Sequence, residues 1–230
     1  QSMLLTRPGK GRILYQMNRS IVRRPFQYRF YNAAFFIIGI NILVFLINNI
    51  APRSLAYMVL SPAYIERYNW FWQFFTYMFT HGSITHILFN MLGLFFFGSQ
   101  IERRMGSHEF LLFYLSSGVL AGVFSFIVYA LTGQYNVYLL GASGAVYAVL
   151  LAFATYFPSS TIYIMGIIPI RAPILVLIFT AIAVFSQVFN YGGNVAHLTH
   201  LAGFGIAYLY FLVRLGINPI SVFMRNGRFR

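Results

Sequence analysis

The residues able to do chemistry fall into three short stretches. Gly141-Ala142-Ser143-Gly144-Ala145-Val146-Tyr147 is a run of small residues that holds one hydroxyl and opens an apolar segment. His81, His86 and Asn90 open a second such segment, and His197 and His200 open a third. A serine hydroxyl becomes a competent nucleophile when an imidazole about 2.6–3.2 Å away takes its proton. The spacings favour such a meeting. His86 and Asn90 are four apart and share one helix face, as do Ser143 and Tyr147. Gly144, Ala148 and Ala152 form a ladder of small residues, and His200, Gly203 and Ala207 form an i, i+3, i+7 stripe. In lipid such ladders let helix backbones approach closely. The two segments are therefore expected to touch and to carry Ser143 and His200 at matching depth. Each feature alone has a plainer reading. A lone serine in a membrane helix usually bonds its own backbone, His81 serves as a cap or interfacial anchor, and His197 is structural.

The elements that must position these residues are membrane helices. Of 230 residues, 59% are hydrophobic and only 8% charged, where a soluble domain carries roughly a quarter. Mean hydropathy is +0.71. There is no cysteine, so thiol chemistry, disulfides and Cys-based metal sites are excluded. There is no aspartate, and the acids are Glu66, Glu102 and Glu109. The net charge of +13 reflects arginines at the ends of apolar segments, where topology and anionic lipid account for them rather than nucleic acid.

Six apolar segments are expected at about 33–50, 82–101, 108–131, 143–158, 172–189 and 198–214, most near the roughly 20 residues that cross a bilayer core. The aromatic stretch 51–81 reads as an interfacial or partly embedded element, because Trp and Tyr favour the headgroup level. Six crossings put both termini on one side. That side then holds fourteen of the sixteen basic residues, Arg53 and Arg67 being the exceptions. The positive-inside rule makes it the cytoplasm. Four of the five histidines and Ser143 then share the outer leaflet, a result the arginines alone produce. Ionisable groups in that position point to function.

The domain layout follows. Residues 1–32 form a cytoplasmic basic arm, with Gln1-Ser2 before Met3 reading as a cleavage scar. Residues 33–214 form an all-α bundle of six transmembrane helices, and 215–230 a cytoplasmic basic tail.

Three motifs resemble the rhomboid family of intramembrane serine proteases. They are His81-x4-His86-x3-Asn90 with the following Glu102-Arg103, then Gly141-Ala142-Ser143-Gly144 with Tyr147, and then His200-Leu201-Ala202-Gly203. Together they cover the chain from about 70 to 210. The resemblance implies a six-helix rhomboid-like bundle with a Ser–His catalytic dyad. Ser143 would be the nucleophile and His200 the general base, chosen over His197 because Gly203 follows it at the family's spacing. Tyr147 would orient His200 by packing, no acid being available to complete a triad. The Ser143 N–H with the His86 and Asn90 side chains would form the oxyanion hole, and Gly141, Gly144 and Gly203 would support the contact. Two departures stand out. Trp72-Gln73 replaces the family's frequent Trp-Arg in the first loop, and Ala207 replaces a second glycine after Gly203.

The expected activity is peptide-bond hydrolysis near the outer leaflet of the cell membrane. Transmembrane segments of other proteins would be the substrates, reaching the site between helices past the fifth helix and the glycine-rich loop at Gly192-Gly193. Membrane lipids are the other expected partners. No nucleic acid, cofactor or metal is expected, since His197-x2-His200 alone is a weak ligand pattern and the His-Glu-x-x-His motif is absent. The alternative is a catalytically inactive relative that binds membrane-protein clients.

Overall fold

A computed structural model describes Arg23 and residues 26–164, 166–188 and 194–227. Most of the basic arm, the Gly192-Gly193 loop and residues 228–230 lie outside the described residues.

The chain is mostly helical. Helix α1 spans Ala33–Ile50. Three short helices follow, α2 (Arg53–Met58), α3 (Pro62–Tyr68) and α4 (Gln73–Thr76), and a 3-10 turn closes the stretch at Tyr77–Phe79. Helix α5 (Ile84–Met105) and helix α6 (Ser107–Leu131) come next, then α7 (Ser143–Tyr156), α8 (Ala172–Val188) and α9 (Asn194–Tyr210). Helix α9 runs on through a π turn at Phe211–Leu215, and α10 spans Pro219–Gly227. Among the described residues four helices are long and apolar enough to cross a membrane: α1, α5, α6 and the His197–Leu215 stretch of α9. Helices α7 and α8 are shorter.

Helix α7 is the centre. It is apolar all round, which suits a helix enclosed by others, and every residue from Ala148 to Thr155 is buried. Helices α5, α6, α8 and α9 pack around it. The α7–α9 contact is the closest: a Cβ placed on Gly203 would lie 2.1 Å from the Gly144 carbonyl oxygen. Ala148, Ala152 and Ala207, on the same ladders, are fully buried.

Helix α5 changes phase in mid-course. Asn90 and Glu102 are twelve residues apart, which in a regular α-helix puts them about 120° apart around the axis. The π turn at Leu94–Gly98 absorbs one extra residue and reduces that offset to about 20°. Both side chains are consequently buried. Glu102 then caps α1. Its two carboxylate oxygens accept from the N–H groups of Ala33 (2.6 Å) and Ala34 (2.9 Å), and Ser107 Oγ donates to the same group. Asn32, the residue at the helix N-cap, supplies no side-chain bond of its own, so the carboxylate satisfies two of the donors that a helix start leaves orphaned.

Glu109 on α6 pairs with Arg214, at 2.8 Å to Nε, and accepts from Tyr210 Oη at 2.5 Å. This joins α6 to the far end of α9.

One expectation needs correction. The bundle is not purely helical: Thr161–Ile164 and Ile168–Arg171 form an antiparallel hairpin between α7 and α8. These runs are rich in β-branched isoleucine, and Gly166 takes the positive φ of +74° in the turn. Helix α10 lies C-terminal to the bundle helices, with Phe223 packed on the core and Ile220 and Met224 exposed.

Candidate active site

Ser143 is the first residue of α7, where helix geometry leaves N–H groups without an intrahelical partner. The loop before it is held from two sides. Leu139 and Leu60 exchange backbone bonds of 2.9 Å in both directions, and the Gly141 N–H donates to the Tyr77 carbonyl at 3.0 Å. Tyr77 is itself buried, with its hydroxyl donating to the Gly118 carbonyl on α6 at 2.6 Å. The aromatic 51–81 stretch is therefore the scaffold that delivers Ser143.

Gln73 anchors that scaffold. Fully buried, it accepts from the Ser61 N–H at 3.1 Å and donates toward the Ala56 and Tyr57 carbonyls. The neighbouring Trp72 Nε1 donates to the Tyr57 carbonyl at 2.9 Å. The amide thus holds the first loop without the positive charge of the Trp-Arg pattern.

Gly141 is a glycine for two separate reasons. Its φ is +113°, a region that side-chain-bearing residues avoid. The His86 ring also occupies the space of a Cβ there, with Cε1 and Nε2 each 2.7 Å from that point and Asn90 Nδ2 at 3.8 Å. The two α5 side chains thus converge two residues before Ser143. Asn90 donates one of its two N–H bonds back to the His86 carbonyl at 3.1 Å, and Ser83 Oγ caps the helix at the His86 N–H.

On α9 the His200 ring lies flat on Tyr147, with centroids 4.1 Å apart and planes 12° apart. Phe179 and Phe204 flank the same tyrosine. His200 precedes Gly203 by one turn, and Gly203 rests on Gly144, the residue after Ser143. Among the described residues no hydrogen bond joins Ser143 Oγ to His200, and His200 Nδ1 is buried without a partner. Such bonds are often long in unliganded sites and tighten around substrate. His197 stands edge-on to His200 at 6.0 Å and makes no stacking contact with Tyr147. Thr199, next to His200, bonds Ser125 Oγ on α6 at 2.8 Å.

His81 precedes α5 and stacks edge-on against His86 at 5.0 Å. Burial, with the His86 ring beside it, lowers its pKa to about 4, so it is neutral near pH 7. The glutamates are occupied elsewhere: Glu102 at α1, Glu109 at Arg214, and Glu66 exposed on α3. Among the described residues no cluster of three His, Cys, Asp or Glu side chains suits a metal ion.

The rhomboid domain model matches residues 68–216, well over half the chain, and takes in His86, Asn90, Ser143, Tyr147 and His200. The chain belongs to the rhomboid family. It is 30% identical over 174 residues to the rhomboid protease GlpG of Enterobacter sp. (strain 638), covering 73% of this chain and 59% of that one. It is 30% identical over 168 residues to RHOMBOID-like protein 12, mitochondrial, of Arabidopsis thaliana, covering 67% and 47%. A putative rhomboid protease of Bacillus subtilis, YdcA, is 29% identical over 126 residues, covering 52% and 59%. The chain thus spans about half the length of these relatives.

As a rhomboid the chain is a multi-pass membrane protein. The scaffold residues Tyr77, Leu60 and Leu139 were not singled out from the sequence, and Gln73 stood out there as a departure from the Trp-Arg pattern. Only the aromatic density around Trp70 and Trp72 hinted that this stretch carries weight.

Proposed function

We propose that this rhomboid is an intramembrane serine endopeptidase that cleaves transmembrane segments of other proteins. Ser143 attacks the scissile carbonyl, and His200 takes the hydroxyl proton. The Ser143 N–H, His86 and Asn90 donate to the oxyanion that forms, aided by the positive end of the α7 dipole. The tetrahedral intermediate collapses to an acyl-enzyme as His200 returns the proton to the leaving amine. Water then attacks the ester, His200 again acting as base, and Ser143 is restored. Tyr147 holds the imidazole by stacking.

The observation that carries this reading is the backbone contact of Gly203 on Gly144. It fixes α9 against α7 at the level of Ser143 while His200 lies on Tyr147, four residues after Ser143. In this reading residues 33–214 are the catalytic domain, α1 and α5 to α9 are its six crossings, and both termini face the cytoplasm of a bacterial-type cell membrane. Fluorophosphonate labelling of the purified protein tests it. Wild type is expected to label, and Ser143→Ala and His200→Ala to lose the label while remaining folded. A folded wild type that does not label would favour the inactive, client-binding relative.

A further inference from the structure

The contact of Gly203 on Gly144 brings α9 against α7, but it does not by itself fix how α9 is turned. Two glycines meet backbone to backbone and offer no side chain to resist a roll. His197 and His200 are three residues apart, so their directions from the α9 axis differ by about 60°. Of the two it is the His200 ring that lies on Tyr147. A further contact of α9 has to set that angle.

Thr199 is placed to do so. It is 1% exposed and precedes His200 in the chain, which puts the two side chains about 100° apart around the helix. Its Oγ1 lies 2.8 Å from Ser125 Oγ on α6, and Ser125 in turn donates to the Ala121 carbonyl at 2.9 Å. Tyr129, four residues after Ser125 and on the same face of α6, hydrogen-bonds the same threonine. Both α6 residues are buried. The Thr199 methyl is also held: its Cγ2 lies 3.1 Å from the Cβ position of Gly144, and Ala121 Cβ lies 3.2 Å from that same point. Helices α6, α7 and α9 therefore meet at the residue that follows Ser143.

A threonine in a helix commonly bonds a carbonyl of its own preceding turn, as Thr155 and Thr180 do here. Thr199 reaches a different helix, where two hydroxyls meet it away from water. Such bonds weaken steeply as they bend, so they resist a rotation that the glycine contact allows. A roll of about 10° would carry a ring about 6 Å from the axis through about 1 Å. A misplacement of that size costs about 100-fold when it separates reacting groups.

We infer that Thr199 is a positioning residue for the general base: through Ser125 and Tyr129 it sets the rotation of α9 that lays His200 on Tyr147 and aims it at Ser143. The assignment rests on the protease reading above. Thr199 acts through the backbone of α9 and not on substrate.

The test compares Thr199→Val, which keeps the shape and removes the hydroxyl, with Thr199→Ser, which keeps the hydroxyl and removes the methyl. Fluorophosphonate labelling should slow about 10- to 100-fold in Thr199→Val and stay near the wild-type rate in Thr199→Ser. Ser125→Ala combined with Tyr129→Phe withdraws both α6 hydroxyls and should reproduce the Thr199→Val result; it carries the comparison if Thr199→Val does not fold. A second readout needs no reaction at Ser143. A ring stacked at 4.1 Å feels the ring current of its neighbour. In histidine-labelled protein the His200 ring signals, assigned with His200→Gln, should be displaced upfield in wild type and Thr199→Ser and return toward ordinary values in Thr199→Val. The proposal is overturned if the His200 signals are the same in wild type and Thr199→Val. It is also overturned if Thr199→Val and Thr199→Ser slow labelling equally and in step with their melting temperatures. If wild type proves unreactive to fluorophosphonate, the protease reading falls while the His200 signals still decide whether Thr199 sets the position of the ring.

Discussion

Replacing Gly203 with alanine tests the contact on which the site depends. The added Cβ would lie 2.1 Å from the Gly144 carbonyl oxygen, 3.0 Å from its carbon and 3.3 Å from its Cα. All three are backbone atoms, so no rotamer relieves the clash. Restoring ordinary contact needs α9 to move from α7 by about 1 Å. Overpacking of this kind costs about 1–3 kcal/mol, against which the better helix propensity of alanine returns about 1 kcal/mol. The net expectation is a loss of up to about 2 kcal/mol of stability. Activity should fall further, because a 1 Å misplacement of reacting groups costs about 100-fold. Gly205 supplies the control. It lies two residues along the same helix with nothing within 4 Å of its Cβ position, so Gly205→Ala should be neutral or slightly stabilising. The assay pairs thermal unfolding in detergent with the rate of fluorophosphonate labelling. If Gly203→Ala melts and labels like Gly205→Ala, the close α7–α9 approach is not what aligns Ser143 with His200.

The remaining predictions concern the parts around that contact. Tyr147→Phe should keep the stacked ring and near-normal cleavage, whereas Tyr147→Ala should lose about 2- to 13-fold, the value of an aromatic pair at about 0.5–1.5 kcal/mol; equal rates for both would remove the stacking role. Gln73→Leu leaves the buried Ser61 N–H unpaired and should cost about 1–3 kcal/mol by thermal unfolding; an unchanged melting temperature would show that the first loop is held elsewhere. Arg214→Met strands Glu109, whose side chain is 3% exposed, and should destabilise by about 3 kcal/mol, with Glu109→Gln added to it recovering part of the loss. Ala207→Leu, at a fully buried position on α9, should push α7 and α9 apart and lower both melting temperature and labelling.

The sequence by itself determined what depends on short-range pattern. Apolar runs of bilayer length located six segments, and the described helices follow them within a few residues. The small-residue ladders through Gly144 and Gly203 announced a close approach because side-chain volume at i, i+3 and i+4 is a local property. The three motif stretches pointed to the family for the same reason.

Tertiary structure decided what depends on partners far apart in the chain. Nothing local tells that Glu102 caps α1 from some seventy residues away, that Leu60 pairs with Leu139, or that Gln73 holds a loop by its amide. The π turn at Leu94–Gly98 was equally hidden, since an apolar run reads the same at 3.6 residues per turn or slightly more. Yet that turn brings Asn90 and Glu102 to one side of α5. In a bundle whose residues are apolar both toward lipid and toward the core, hydrophobicity marks where a helix runs but not which way it faces. That rotation is set by the few polar side chains that must find one another away from water.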